Sequence, residues 1–89
     1  MSITERINKK LNEGLTPSRL EVIDESMKHL GHAGYREGGE THFNVTVVSD
    51  KFEGKSRVDR QRMVYALLAE EMAERIHALA LTTKTPGEV

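Results

Sequence analysis

A chain of 89 residues has room for one small domain with a single core, and hardly for a deep catalytic cleft. It holds four histidines and no cysteine, which excludes a disulfide framework, a zinc ribbon and a thiol nucleophile and sends any metal chemistry through imidazole, at His29, His32, His42 or His77. With a net charge of -1 the molecule as a whole has no electrostatic reason to seek nucleic acid, and its apolar runs are far shorter than the roughly 20 residues of a membrane span.

Ser2-Ile-Thr-Glu5 fits a capping box, and Ile3, Ile7 and Leu11 recur at four-residue steps up to Gly14, which predicts a first helix. This start is amphipathic and contains acids, unlike a secretory signal, so a cytoplasmic protein is expected. Thr16-Pro17 turns the chain, and Arg19 to Asp24 reads as a short strand because Leu20 and Val22 alternate with polar positions. Residues 25–40 carry four glycines and two histidines without an apolar period, which predicts a long functional loop.

From Thr41 to Ser49 the period is two, with Phe43, Val45 and Val47 on one face and His42, Asn44 and Thr46 on the other. On that pattern His42 is a solvated side chain of an open sheet face, and Glu21 and Glu40 are solvated as well. Phe52-Glu-Gly54 ends the strand, and Ser56, with Asp59 three residues on, caps a helix running to about Arg75. Val58, Val64, Leu67, Leu68 and Met72 form its buried stripe, with a bend expected near Arg60 that splits off a short leading helix. Ala78 to Leu81 is the last strand.

The expected fold class is α+β, in the order α-β-β-α-α-β, with helices on one face of a three-stranded mixed sheet and the other face open. Residues 1–82 form the single domain, and 83–89 a polar tail.

Between Asp50 and Arg62, five cations (Lys51, Lys55, Arg57, Arg60 and Arg62) face three acids, a local excess of two positive charges. Glu70, Glu71 and Glu74 make the far half of the same helix acidic. Because this order opposes the helix dipole, the basic start is expected to serve a partner rather than the fold. Gly54-Lys55-Ser56 lacks the upstream glycine of a phosphate loop, whose place is taken by Ser49. Gly31-His-Ala-Gly34 has the spacing of a backbone-clamping GxxG loop but falls in a hairpin rather than between helices. No serine, acid and histidine grouping has a spacing that suggests nucleophilic catalysis, so an enzyme is not expected.

His77 stands where the long helix gives way to the last strand. In one reading it is a cation offsetting the helix dipole. In the other it meets His29 or His32, carried to it by the glycine-rich loop. Two imidazoles are half the ligand set of one tetrahedral centre, and two histidines on one iron of a two-iron, two-sulfur cluster are known protein chemistry. Such a cluster would have to be shared with a partner that brings sulfur.

Asp24-Glu-Ser26, Glu40-Thr-His-Phe43, Val48-Ser49, Phe52-Glu-Gly54, Arg60-Gln-Arg62 and His77-Ala-Leu79, in this order, resemble the BolA family over nearly the whole chain. The resemblance implies a type II KH-like fold and a heterodimer with a monothiol glutaredoxin, formed from a chain that is monomeric alone. A two-iron, two-sulfur cluster is then shared, the partner's cysteine and a glutathione thiol on one side and two residues of this chain on the other. One is His77; the loop ligand is His29, with His32 as its rival. Gln61 departs from the family in standing where many relatives have histidine. Some relatives are described as DNA-binding regulators, which would make Lys55, Arg57, Arg60 and Arg62 contacts to phosphate or to a protein partner.

Overall fold

The computed structural model describes residues 2–26, 39 and 41–89. Helix α1 spans Ile3–Leu15, strands β1 Arg19–Asp24 and β2 His42–Val48, helices α2 Arg57–Leu67 and α3 Ala69–Glu74, and strand β3 Ala78–Lys84. Short 3-10 turns cover Asp50–Phe52 and Pro86–Glu88. The expected order and the mixed sheet are both present: β1 pairs antiparallel with β2, and β2 pairs parallel with β3. No helix among the described residues is long and apolar enough to cross a membrane.

The first helix forms as its sequence predicts. Ser2 Oγ accepts from the Glu5 N–H while the Glu5 side chain accepts from the Ser2 N–H, closing the capping box. Its stripe extends one step further than the expected three residues, to Leu15, and all four apolar residues are buried. At its other end two orphan carbonyls are met by side chains: the buried Ser49 hydroxyl donates to Leu15 O at 2.6 Å, and Lys51 Nζ to Gly14 O at 3.2 Å. A methyl group on Gly14 would stand 2.8 Å from the Leu67 side chain, so glycine lets α1 lie close to α2.

The core is the layer between the helices and one sheet face. Ile7, Leu11 and Leu15 of α1 meet Phe43, Val45 and Val47 of β2, with Phe52, Val64, Leu68 and Ile76 closing the sides. The opposite face exposes Glu21 and Ile23 of β1 and Ala78, Ala80 and Thr82 of β3, as the alternation requires.

Three expectations change. The bend falls at Leu68, not near Arg60: Leu68 is fully buried with φ -104° and ψ 18°, and it re-aims α3 toward α1. Val58 is 55% exposed and lies outside the buried stripe. Strand β3 continues three residues past Leu81, where Thr82, Thr83 and Lys84 pair with Thr46, Val47 and Val48. Residues 82–84 have polar side chains, but the ladder uses their backbones. Most of the predicted loop over 25–40, with the Gly31–Gly34 tetrapeptide and Glu40, lies outside the described residues.

Candidate functional site

The end of β1, the start of β2 and the start of β3 meet at one mouth of the sheet, because His42 is in register with Ala78 and Phe43 with both Asp24 and Leu79. Asp24 closes an Asx turn after β1: its Oδ1 accepts from Ser26 N at 2.9 Å and from the Ser26 hydroxyl at 2.6 Å. The Ser26 oxygen in turn accepts from Thr41 N at 2.8 Å and His42 N at 3.2 Å. Thr41 carries the connection to the last strand, its carbonyl accepting from His77 N at 2.7 Å and Ala78 N at 3.1 Å. Arg75 donates twice to Gly39 O, at 3.1 and 2.7 Å, and ties the end of the loop to the end of α3.

On this framework stand two imidazoles. His42 is buried, and its Nδ1 is hydrogen-bonded to Thr41 Oγ1 at 2.9 Å. His77 is exposed, and its ring centroid lies 5.3 Å from that of His42, with the planes tilted by 52°. His42 is therefore not the solvated open-face side chain that alternation predicts. It is the first residue of its strand, and at that position Ser26, Thr41 and the His77 ring close around it.

His77 is accessible, as the metal reading needs. Its expected partners, His29 and its rival His32, lie outside the described residues. Among the described residues no group of three or more metal-ligating side chains is close enough to hold an ion.

The basic residues of the 52–62 region fall into two groups. Lys55, Arg57 and Arg62 are exposed, and Arg62 lies 3.7 Å from Asp59 in a weak surface pair. Arg60 is turned inward, with its side chain 13% exposed. Its Nε donates to Lys55 O at 3.0 Å, its guanidinium grips the Glu88 carboxylate at 2.6 and 3.2 Å, and it lies 6.0 Å from the Phe52 ring centre. Hydrogen bonds from Arg60 and from the Thr85 backbone hold the Glu88 carboxyl down at about 2. Arg60 thus serves the fold, contrary to the expectation for the whole basic start.

The acidic half of the helix also has a structural task. Glu71 is fully buried, with Arg6 Nη2 at 2.7 Å and Lys10 Nζ at 2.9 Å. Burial pushes its carboxyl up, but the Lys10 hydrogen bond and the charges of Lys10 and Arg6 outweigh this and leave it below its ordinary value. Sequence reasoning missed Ser26, Thr41 and Glu71. The Asp-x-Ser spacing at Asp24 was the one local signal for the first of these.

The family model described as BolA-like protein matches residues 11–88. The BolA domain of SufE1 from Arabidopsis thaliana superposes with a TM-score of 0.89 at 48% identity, covering 100% of this chain and 98% of that one. The DNA-binding transcriptional regulator BolA of Escherichia coli (strain K12) is 48% identical over 88 residues, 99% of this chain and 80% of that protein. SufE-like protein 1, chloroplastic/mitochondrial, of Arabidopsis thaliana is 50% identical over 88 residues, and the chain spans only 24% of its length.

Proposed function

The chain belongs to the BolA family, and on that premise we propose that it is a non-enzymatic adaptor that binds a monothiol glutaredoxin and shares a two-iron, two-sulfur cargo with it in cluster trafficking or iron sensing. The observation that carries this reading is the exposed His77 ring, on a backbone pinned to Thr41 O and packed beside the buried His42. A ligand offered to a partner's cluster must be accessible and positioned, and the exposed ring on a bonded backbone supports this reading. His77 and His29, or His32 in its place, would be the donors of this chain, and the partner would supply the thiolates that a cysteine-free sequence lacks. The cargo would bring one-electron chemistry; the work of this chain is to present and orient imidazole.

The test is visible circular dichroism during titration into a cluster-loaded monothiol glutaredoxin with glutathione, comparing wild type with His77→Ala. A new saturating spectrum that the variant fails to reproduce is expected. No spectral change at excess wild-type protein removes the shared cluster, and an identical change with the variant removes His77 as ligand.

A second reading, DNA binding, is favoured by the name of the Escherichia coli relative and by the exposed Lys55, Arg57 and Arg62. It predicts affinity for duplex DNA that falls steeply as salt rises; binding indifferent to salt and to neutralisation of Arg57 removes it.

A further inference from the structure

At the end of the molecule away from the histidine pair, Arg57 and Arg60 of α2, Lys84 at the end of β3, and Glu88 line one groove of about 340 Å³ floored by Leu81 and Thr83. It holds three cations and one carboxylate. Arg57 and Lys84 have no ion-pair or hydrogen-bond partner among the described side chains, and both are exposed. Glu88 answers only Arg60. Its two oxygens sit on Nη1 at 2.6 Å and Nη2 at 3.2 Å, and Oε1 also accepts from Thr85 N at 2.8 Å. That is the forked geometry in which a guanidinium binds any carboxylate. Glu53 adds a negative charge near Arg60 without joining the groove.

From this we infer that the groove is a binding site for an acidic protein segment, and that Glu88 occupies it as an intramolecular stand-in. The Arg60 fork is fixed in place, with Nε on Lys55 O and Nη1 3.5 Å from Thr83 O, and the group it holds there is a carboxylate. Replacing Glu88 by another carboxylate exchanges one such contact for its equivalent. The tethered residue has the advantage of high effective concentration, so a ligand with one acid loses the competition. A ligand with two or three acids also meets Arg57 and Lys84, which Glu88 leaves unanswered. The apparent affinity is the intrinsic one reduced by the fraction of molecules in which Glu88 has left.

The experiment is calorimetric titration of the full chain at low salt with an end-blocked tetraglutamate peptide, with a short DNA duplex as the competing class. Wild type is compared with Glu88→Gln and Glu88→Ala, and each of these with Arg57→Gln and Lys84→Gln added. Removing the stand-in is expected to tighten peptide binding about three- to tenfold, and neutralising Arg57 and Lys84 to weaken it in wild type and in both Glu88 variants. Equal peptide affinity in wild type and both Glu88 variants overturns the inference, as does peptide affinity unchanged by loss of Arg57 and Lys84. Tightening of duplex but not of peptide assigns the groove to phosphodiester and overturns the acidic-segment occupant. The added substitutions are at exposed positions, so the outcome does not hinge on an Arg60 variant that loses its structural bonds.

Discussion

The ring of His42 lies 5.3 Å from that of His77 across the mouth of two parallel strands, the first buried at 5% exposure and the second open to solvent. Two histidines with the same side chain therefore have different tasks. The inner one belongs to a hydrogen-bonded frame that includes Ser26 and Thr41, and the outer one stands on that frame.

The two histidines separate experimentally. His77→Ala keeps the backbone bond to Thr41 O and removes only an exposed ring, so unfolding in urea is expected to shift by no more than about 0.5 kcal/mol. His42→Ala opens a buried space and strips Thr41 Oγ1 of a partner, which costs about 1–3 kcal/mol. Equal stabilities for the two variants contradict this division.

Within the frame, Ser26→Ala leaves the buried N–H groups of Thr41 and His42 without their acceptor, and Thr41→Val removes a hydroxyl bonded on both sides. Each substitution is expected to destabilise by about 1–3 kcal/mol, and the double variant by less than the sum, since both act on one network. A double-mutant cycle in urea measures the coupling; strict additivity contradicts a shared network.

Glu71→Ala removes the buried carboxylate between Arg6 and Lys10 of α1, which keep their exposed partners on α3, Glu74 at 2.7 Å and Glu70 at 3.6 Å. About 1–3 kcal/mol is expected, because the hydrogen bonds to the buried carboxylate are lost while both cations remain partly hydrated and paired. Replacing Glu71 together with Arg6 and Lys10 by apolar residues of similar volume recovers most of the loss. Thermal unfolding of the two variants decides this.

The pH dependence follows from the depressed carboxyls of Glu71 and Glu88, both lowered from an ordinary 4.5. A group whose folded-state value is lowered stabilises the fold above its unfolded value and loses that contribution as pH falls through the folded value. Stability is therefore flat with respect to these two groups above about pH 5. It declines below 4.5, and the Glu88 share is lost down to about 2. Urea midpoints between pH 7 and pH 2 measure the slope; Glu88→Gln is expected to flatten it, and an unchanged slope contradicts the Arg60–Glu88 pairing.

If the exposed cations meet DNA, Arg57→Gln and Arg62→Gln each lower the slope of log affinity against log salt by about 1 with little effect on folding. Arg60→Gln instead lowers the melting temperature, since it removes the bonds to Lys55 O and Glu88. A reversed pattern contradicts the inward placement of Arg60.

What the sequence determined by itself is what near neighbours decide. The four-residue steps of Ile3, Ile7 and Leu11, the period of two through Phe43, Val45 and Val47, and the Ser2 and Ser56 caps each involve residues within one or two turns, so α1, β2 and the start of α2 lie where expected. The ordered blocks from Asp24 to Leu79 also marked the family. Tertiary structure alone decided which polar groups are buried and whom they meet. Ser26 reaches Thr41 across 15 residues, Arg60 reaches Glu88 across 28, and Lys10 reaches Glu71 across 61. A histidine on the face that alternation assigns to solvent became buried, and a basic helix start was divided between fold and surface. A periodic pattern states which way a side chain points, but burial and pairing depend on what the rest of the chain brings to that place.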